Sequence, residues 1–117
     1  MQIDIRGVET ELTEDIKKYA TGKTEKFAKY GINIIGVELA LEEDHNKTED
    51  KAAFVKALIK IPGKDISAKG EGKNLFAAID EMEQKASRKL SKYKGKNKQK
   101  NKLAKSKEMV RRLFKKS

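Results

Sequence analysis

The alternation of apolar and polar positions predicts four strands and two helices. Gln2-Ile3-Asp4-Ile5-Arg6 alternates, with Ile3 and Ile5 on one side, and Gly7 reads as the strand's end. Thr13 has the character of a helix N-cap. Its hydroxyl can accept from a free backbone N–H, and Glu14 and Asp15 suit the positive end of a helix. Ile16, Tyr19, Ala20, Phe27 and Tyr30 recur at helical spacing, and Gly31 supplies a left-handed stop, so the first helix is placed at about residues 14–30.

Alternation returns over 33–43, where Ile35, Val37, Leu39 and Leu41 share one face and Glu38 and Glu42 the other. The polar segment 44–50 reads as a hairpin loop. A third strand follows at 52–61, with Val55, Ala57, Ile59 and Ile61 inward and Phe54, Lys56, Leu58 and Lys60 opposite. Pro62-Gly63 signals a tight turn into a fourth strand at 64–70, with Ile66 and Ala68 inward. Gly70-Glu71-Gly72 reads as a strand-to-helix turn. It resembles half of a phosphate loop but lacks the third glycine and the trailing Lys-Ser/Thr. Asn74 can cap a second helix, on which Leu75, Ile79, Met82, Ala86, Leu90 and Tyr93 form one apolar stripe.

The predicted order is β-α-β-β-β-α. The first helix crosses from strand one to strand two, and strands two to four form an antiparallel meander. Two amphipathic helices and one strongly apolar sheet face give an α+β domain, a four-stranded sheet with both helices packed on one face.

Composition narrows the chemistry. With 117 residues, 37% hydrophobic and 39% charged, the chain can bury one modest core. The absence of Cys excludes disulfides and thiolate metal sites, and a single His, His45, excludes a His-His metal site. His45 stands among Asp44, Glu49 and Asp50 without a nucleophile or an acid-base frame, so this cluster reads as a solvated hairpin tip. No enzyme activity, cofactor, metal or small-molecule substrate is expected. No apolar run approaches the ~20 residues that cross a bilayer. Met1-Gln2-Ile3-Asp4 shows no basic segment leading into an apolar one, and a cytoplasmic protein without a membrane partner is expected.

Charge is distributed unevenly. Residues 1–84 hold 13 Lys and Arg against 17 Asp and Glu, a net −4. Residues 85–117 hold 15 Lys and Arg against one acid, Glu108, a net +14. Such asymmetry marks a polyanion-binding arm. The run from Lys94 through Gly95 to Lys102 has no apolar residue and cannot repay the entropy of ordering. The expected organisation is a folded domain at 1–94 and a basic tail at 95–117, disordered when free.

The second helix carries the sharper signal. Lys85, Arg88, Lys89, Lys92 and Lys96 fall at i, i+3/i+4 and i+7 spacing along one flank. Like charges at this spacing repel mildly, and nucleic-acid phosphates would neutralise them. One or two cations suffice to complement the helix dipole, and five exceed that role. On the first helix, Lys23 lies within the apolar arc and Lys26 on its edge. Their stems can cover the core rim while their amines reach solvent or RNA. Phe54 and Leu58 would lie on the open sheet face, but their strand lacks the Gly- and aromatic-rich text of sheets that stack RNA bases. The alternative reading is a protein-interaction module that regulates another factor, for example in transcription, with an incidental basic tail.

Gly70-Glu71-Gly72, then Leu75-Phe76-Ala77-Ala78-Ile79-Asp80, then Lys85, Lys89-Leu90 and Lys92 resemble the ribosome hibernation promoting factor and ribosome-associated inhibitor A family. Gly7, Leu12-Thr13, Tyr19, Lys23, Lys26, Phe27 and Tyr30 are similar to its first-helix pattern. The resemblance covers residues 1–94. Asn74 and Phe76 depart from it, standing where the family has an acid and a Tyr. Long members carry a second, dimerising domain, whose start Met109-Val110-Arg111-Arg112 faintly resembles.

The resemblance implies a layout like that of double-stranded-RNA-binding domains. It implies a translation inhibitor that binds rRNA of the small ribosomal subunit in the mRNA/tRNA channel under stress or in stationary phase, and is monomeric off the ribosome. Together with the helix flank it nominates Lys23, Lys26, Lys85, Arg88, Lys89, Lys92, Lys94 and Lys96 as RNA-binding residues.

Overall fold

The computed structural model describes the backbone of residues 1–44 and 52–116 and the side chains of residues 1–44 and 52–95. The cluster around His45, Glu49 and Asp50 lies outside the described residues. The elements are β1 (Gln2–Val8), α1 (Glu14–Glu25), a 3-10 turn (Lys26–Tyr30), β2 (Gly36–Glu43), β3 (Ala53–Ile61), β4 (Lys64–Gly72) and α2 (Leu75–Lys116). This is the predicted order. The strands lie in sequence order in one mixed sheet. β1 pairs parallel with β2 because α1 carries the chain across, and β2, β3 and β4 pair antiparallel.

One sheet face supplies Val37, Leu39, Leu41, Val55, Ala57, Ile59, Ile66 and Ala68 to the core. Ile16, Ala20 and Phe27 meet them from the first helical segment, and Ile79, Met82, Ala86 and Leu90 from α2. Both predicted caps form. The Ile16 amide donates to the Thr13 hydroxyl at 3.2 Å, and the Ala77 amide to Asn74 Oδ1 at 2.8 Å.

Four local expectations need correction. Ile35 is not a core residue: it is 58% exposed, and Ile34, at 8%, takes the inward position. The two-residue period holds only from Gly36 onward, where the strand begins. The helix predicted over 14–30 is α-helical only to Glu25, then tightens into the 3-10 turn that buries Phe27 and stops at Gly31, φ 64°. Gly7 does not end β1; it pairs with Leu41 in the ladder, and the strand continues to Val8. Gly70 and Gly72 are not turn residues but the inward positions at the end of β4. A Cβ on Gly70 would stand 2.0 Å from the Ala78 carbonyl oxygen and 2.4 Å from the Met82 nitrogen. These glycines let the α2 backbone lie directly on the sheet.

Thr24 is the buried polar residue that periodicity missed. Its hydroxyl donates to the Ala20 carbonyl at 2.8 Å, which satisfies it within its own helix. The helical backbone of α2 continues past Gly95 to Lys116, through the boundary that composition places after residue 94.

Candidate nucleic-acid interface

The close approach at Gly70 and Gly72 fixes how α2 is rotated. With Leu75, Ile79, Met82, Ala86 and Leu90 held against the sheet, Lys85, Arg88, Lys89 and Lys92 project beside β4. The four line a shallow groove of about 380 Å³ together with Ser67, Ala68 and Lys69 of β4. The helix-two cations of the sequence reading are thus brought together by the fold, with Lys96 beyond the described side chains.

Within the groove the cations differ. The Lys85 amine pairs with the Glu81 carboxylate at 2.8 Å, one turn back on the helix. The Lys89 amine donates to the Ser67 carbonyl, which it ties to α2. Arg88 and Lys92 are exposed and make no ion pair among the described residues. Two charges therefore fasten the flank and two stand ready for an outside anion. Lys69 was not among the nominated residues. Its signal lay in the alternation of β4, which sets it on the open face of an edge strand, but only the docking of α2 shows that it joins this row.

The other nominated lysines lie elsewhere. The Lys23 amine stands 3.4 Å from the Asp80 carboxylate, which also accepts from the Tyr19 hydroxyl. The same amine lies 5.5 Å from the centre of the Tyr19 ring, and that ring packs edge-on against Phe76 with centroids 5.2 Å apart. This cluster joins α1 to the side of α2 away from β4. The hydrogen bond to Asp80, together with desolvation and the Asp80 charge, pushes the Tyr19 phenol above its ordinary value of 10.0. Desolvation pulls Lys23 down, but the hydrogen bond and charge of Asp80 outweigh it and leave Lys23 raised above 10.5.

Lys94 reaches the same side of the molecule, its amine 3.3 Å from where a Cβ on Gly31 would sit. Lys26 is exposed on the 3-10 turn. The fold thus collects Lys85, Arg88, Lys89 and Lys92 on one flank, sets Lys23 and Lys94 on the other side of α2, and ties Lys23 into an internal contact.

Near the C-terminal end of the described flank, a second hollow of about 310 Å³ is lined by Lys64, Asp65, Ile66, Ser67, Lys89, Lys92 and Tyr93. The Lys64 amine lies 5.5 Å from the Tyr93 ring centre. Among the described residues no group of three or more His, Cys, Asp or Glu could hold a metal ion, and no helix is long and apolar enough to cross a membrane. The geometry offers a row of cations on a rigid helix beside an edge strand. That arrangement suits phosphate contact, which needs positive charge in fixed register and no chemistry.

Known proteins share both sequence and fold with this chain. It is 34% identical to the ribosome hibernation promoting factor of Escherichia coli strain K12 over 101 residues, covering 85% of this chain and 99% of that protein. Against the ribosome hibernation promoting factor of Pseudomonas putida strain KT2440 the identity is 30% over 96 residues, covering 82% and 89%. Among solved structures, a ribosomal subunit interface protein from Coxiella burnetii superposes with a TM-score of 0.66 at 22% identity, over 81% of this chain and 99% of that one. Thermus thermophilus Protein Y N-terminal domain gives 0.66 at 21% identity, over 80% and 99%. Residues 3–98 match the family described as sigma 54 modulation protein / S30EA ribosomal protein, and the chain belongs to that family.

Proposed function

We propose that this protein is a ribosome-associated hibernation factor that binds rRNA of the small ribosomal subunit in the mRNA/tRNA channel and inhibits translation by occupancy. The observation that carries this reading is the flank of Lys85, Arg88, Lys89 and Lys92, with Arg88 and Lys92 exposed and unpaired among the described residues. The ribosome as partner is supported by the relatives named ribosome hibernation promoting factor. In this reading the protein is a cytoplasmic binding factor acting under stress or in stationary phase, monomeric off the ribosome, and without catalytic chemistry or a cofactor. Lys26, exposed on the 3-10 turn, adds to the surface. Lys23, occupied by Asp80, contributes through the shape of the α1–α2 junction.

Binding by charge in a channel predicts competition. The protein should pellet with purified small subunits at low salt and be released as salt rises, because each phosphate contact gives up condensed counterions. Excess messenger RNA with initiator transfer RNA should displace it, and a purified translation reaction should slow in proportion to the bound factor. Absence of co-pelleting at low salt would contradict the proposal and favour a protein-interaction module. Inhibition that persists after the factor is removed would point to modification of the ribosome instead.

A further inference from the structure

The α2 flank uses one side of β4. The other side of the same strand belongs to the open face of the sheet, where the register produces a second line of cations. Arg6 of β1 pairs with Ala40 of β2, Ala40 with Lys56 of β3, and Lys56 with Lys69 of β4. One row across four strands thus reads Arg-Ala-Lys-Lys. Neighbouring strands lie about 4.8 Å apart, so Lys56 and Lys69 are adjacent, and Arg6 stands roughly 10 Å from Lys56 with only a small residue between them.

This row carries an electrostatic cost that no direct ion pair relieves. Like charges directly opposite on neighbouring strands destabilise a sheet. Arg6, Lys56 and Lys69 are exposed, and none makes an ion pair or a side-chain hydrogen bond among the described residues. Acids are available on the same face. Beside this row, Lys60 pairs with Glu38 at 2.9 Å, which raises the Lys60 amine above its ordinary value through the hydrogen bond and charge of Glu38. The face can therefore pair a lysine, and leaves these three without an ion-pair partner among the described residues.

The row also has depth. A depression of about 530 Å³ opens between it and the next row, lined by Arg6, Lys56 and Lys69, by Asp4 and Glu38 of the neighbouring row, and by the half-buried Ala40 and Leu58. Lys69 lines this depression and the α2 groove alike. The two cationic surfaces meet at that residue, around the edge of the sheet.

We propose that the open sheet face is a second phosphate-binding track, continuous with the α2 flank through Lys69, and that one RNA strand passes from the helix flank around the β4 edge onto the row of Lys56 and Arg6. The inference rests on the reading of α2 as an RNA-binding flank. The charge pattern favours a phosphodiester strand over an acidic protein surface. Asp4 and Glu38 bound the row on one side, and Glu42 and Glu71 on the other. Only a narrow strip attracts anions, wide enough for one backbone and flanked by repulsion for a broad acidic patch. Ala40 and Leu58 give a sugar or base an apolar floor.

The test compares full-length Arg6→Gln/Lys56→Gln with Lys17→Gln/Lys18→Gln, which removes the same charge from exposed positions on α1. Affinity for purified small ribosomal subunits is measured across a salt series. The sheet variant should bind more weakly than the α1 variant, and its log–log salt slope should be shallower than the parent's by roughly 1.4–1.8 for two lost phosphate contacts. The single variant Lys56→Gln should melt at or above the parent's temperature, since it relieves the repulsion with Lys69. A lower melting temperature would overturn the repulsion argument. If the sheet and α1 variants bind equally while Arg88→Glu/Lys92→Glu is weakened, the track is wrong and the α2 reading stands. If Arg88→Glu/Lys92→Glu also binds fully, both fall. A sheet variant that changes the protein's oligomeric state and leaves ribosome affinity intact would assign the face to a second copy of the chain.

Discussion

Tyr19, Lys23 and Asp80 show how a single site can carry both packing and charge. Tyr19 donates to Asp80 as a neutral phenol, and Lys23 pairs with the same carboxylate as a cation. Both groups hold their protons more tightly in the folded chain than their ordinary values imply. Groups raised on folding stabilise the protein fully below the unfolded-state values, and that contribution is lost as pH rises through the folded ones. The urea midpoint should therefore fall as pH climbs above about 10. It should fall less steeply in Tyr19→Phe, which lacks the titrating phenol; identical alkaline profiles would remove Tyr19 from the account. Ile79, fully buried at the centre of the α2 stripe, sets the other residue-scale expectation. Ile79→Ala should cost about 2–5 kcal/mol in denaturant unfolding, through the lost contacts and the cavity left behind. Sequence periodicity reveals Ile79 as core and Lys23 as an anomaly in an apolar arc. It does not reveal Asp80 as the partner of Lys23, because periodicity orders each helix alone and says nothing about which flanks of two distant segments face each other.

At the scale of elements, the seat of α2 on β4 decides the geometry of the interface. Gly70→Ala would drive a methyl into the Ala78 carbonyl and the Met82 backbone, neither of which can swing aside as a side chain does. It should destabilise by about 1–3 kcal/mol. It should also lift or rotate the helix, so ribosome affinity should drop although no charge changes; unchanged affinity would show that the flank's position is unimportant. The order of elements, both helix caps and the inward residues of β3 and α2 are all legible in the sequence, because alternation and capping are local signals. The role of Gly70 and Gly72 is not, since a glycine pair signals a turn and a close approach in the same letters. Ile35 misleads for a related reason: alternation reads through Gly36 without marking where the strand begins. We further propose that the folding unit ends near Lys94, as the described core closes with Leu90 and the partly buried Tyr93. Truncation after Lys94 should leave the melting temperature nearly unchanged, and a large loss of cooperativity would place the C-terminal segment within the unit.

For the whole molecule, charge segregation sets the central question. A body with a net −4 is joined to a C-terminal stretch with a net +14, and net charge alone would attract any polyanion. The account makes a stronger claim. We propose that Arg88 and Lys92, held in register where α2 packs on the sheet, pay less ordering entropy per contact than the run from Lys94 to Lys102, which has no apolar residue to pack. The most direct measurement is the affinity for purified small ribosomal subunits of Arg88→Glu/Lys92→Glu beside that of Lys98→Glu/Lys100→Glu, each across a salt series. The two pairs change the net charge equally. The account predicts that the helix pair loses more affinity, with a salt slope shallower by roughly 1.4–1.8, while the C-terminal pair loses less. Equal losses from the two pairs would contradict it, and would mean that net charge, not the geometry of α2, holds the protein on its partner.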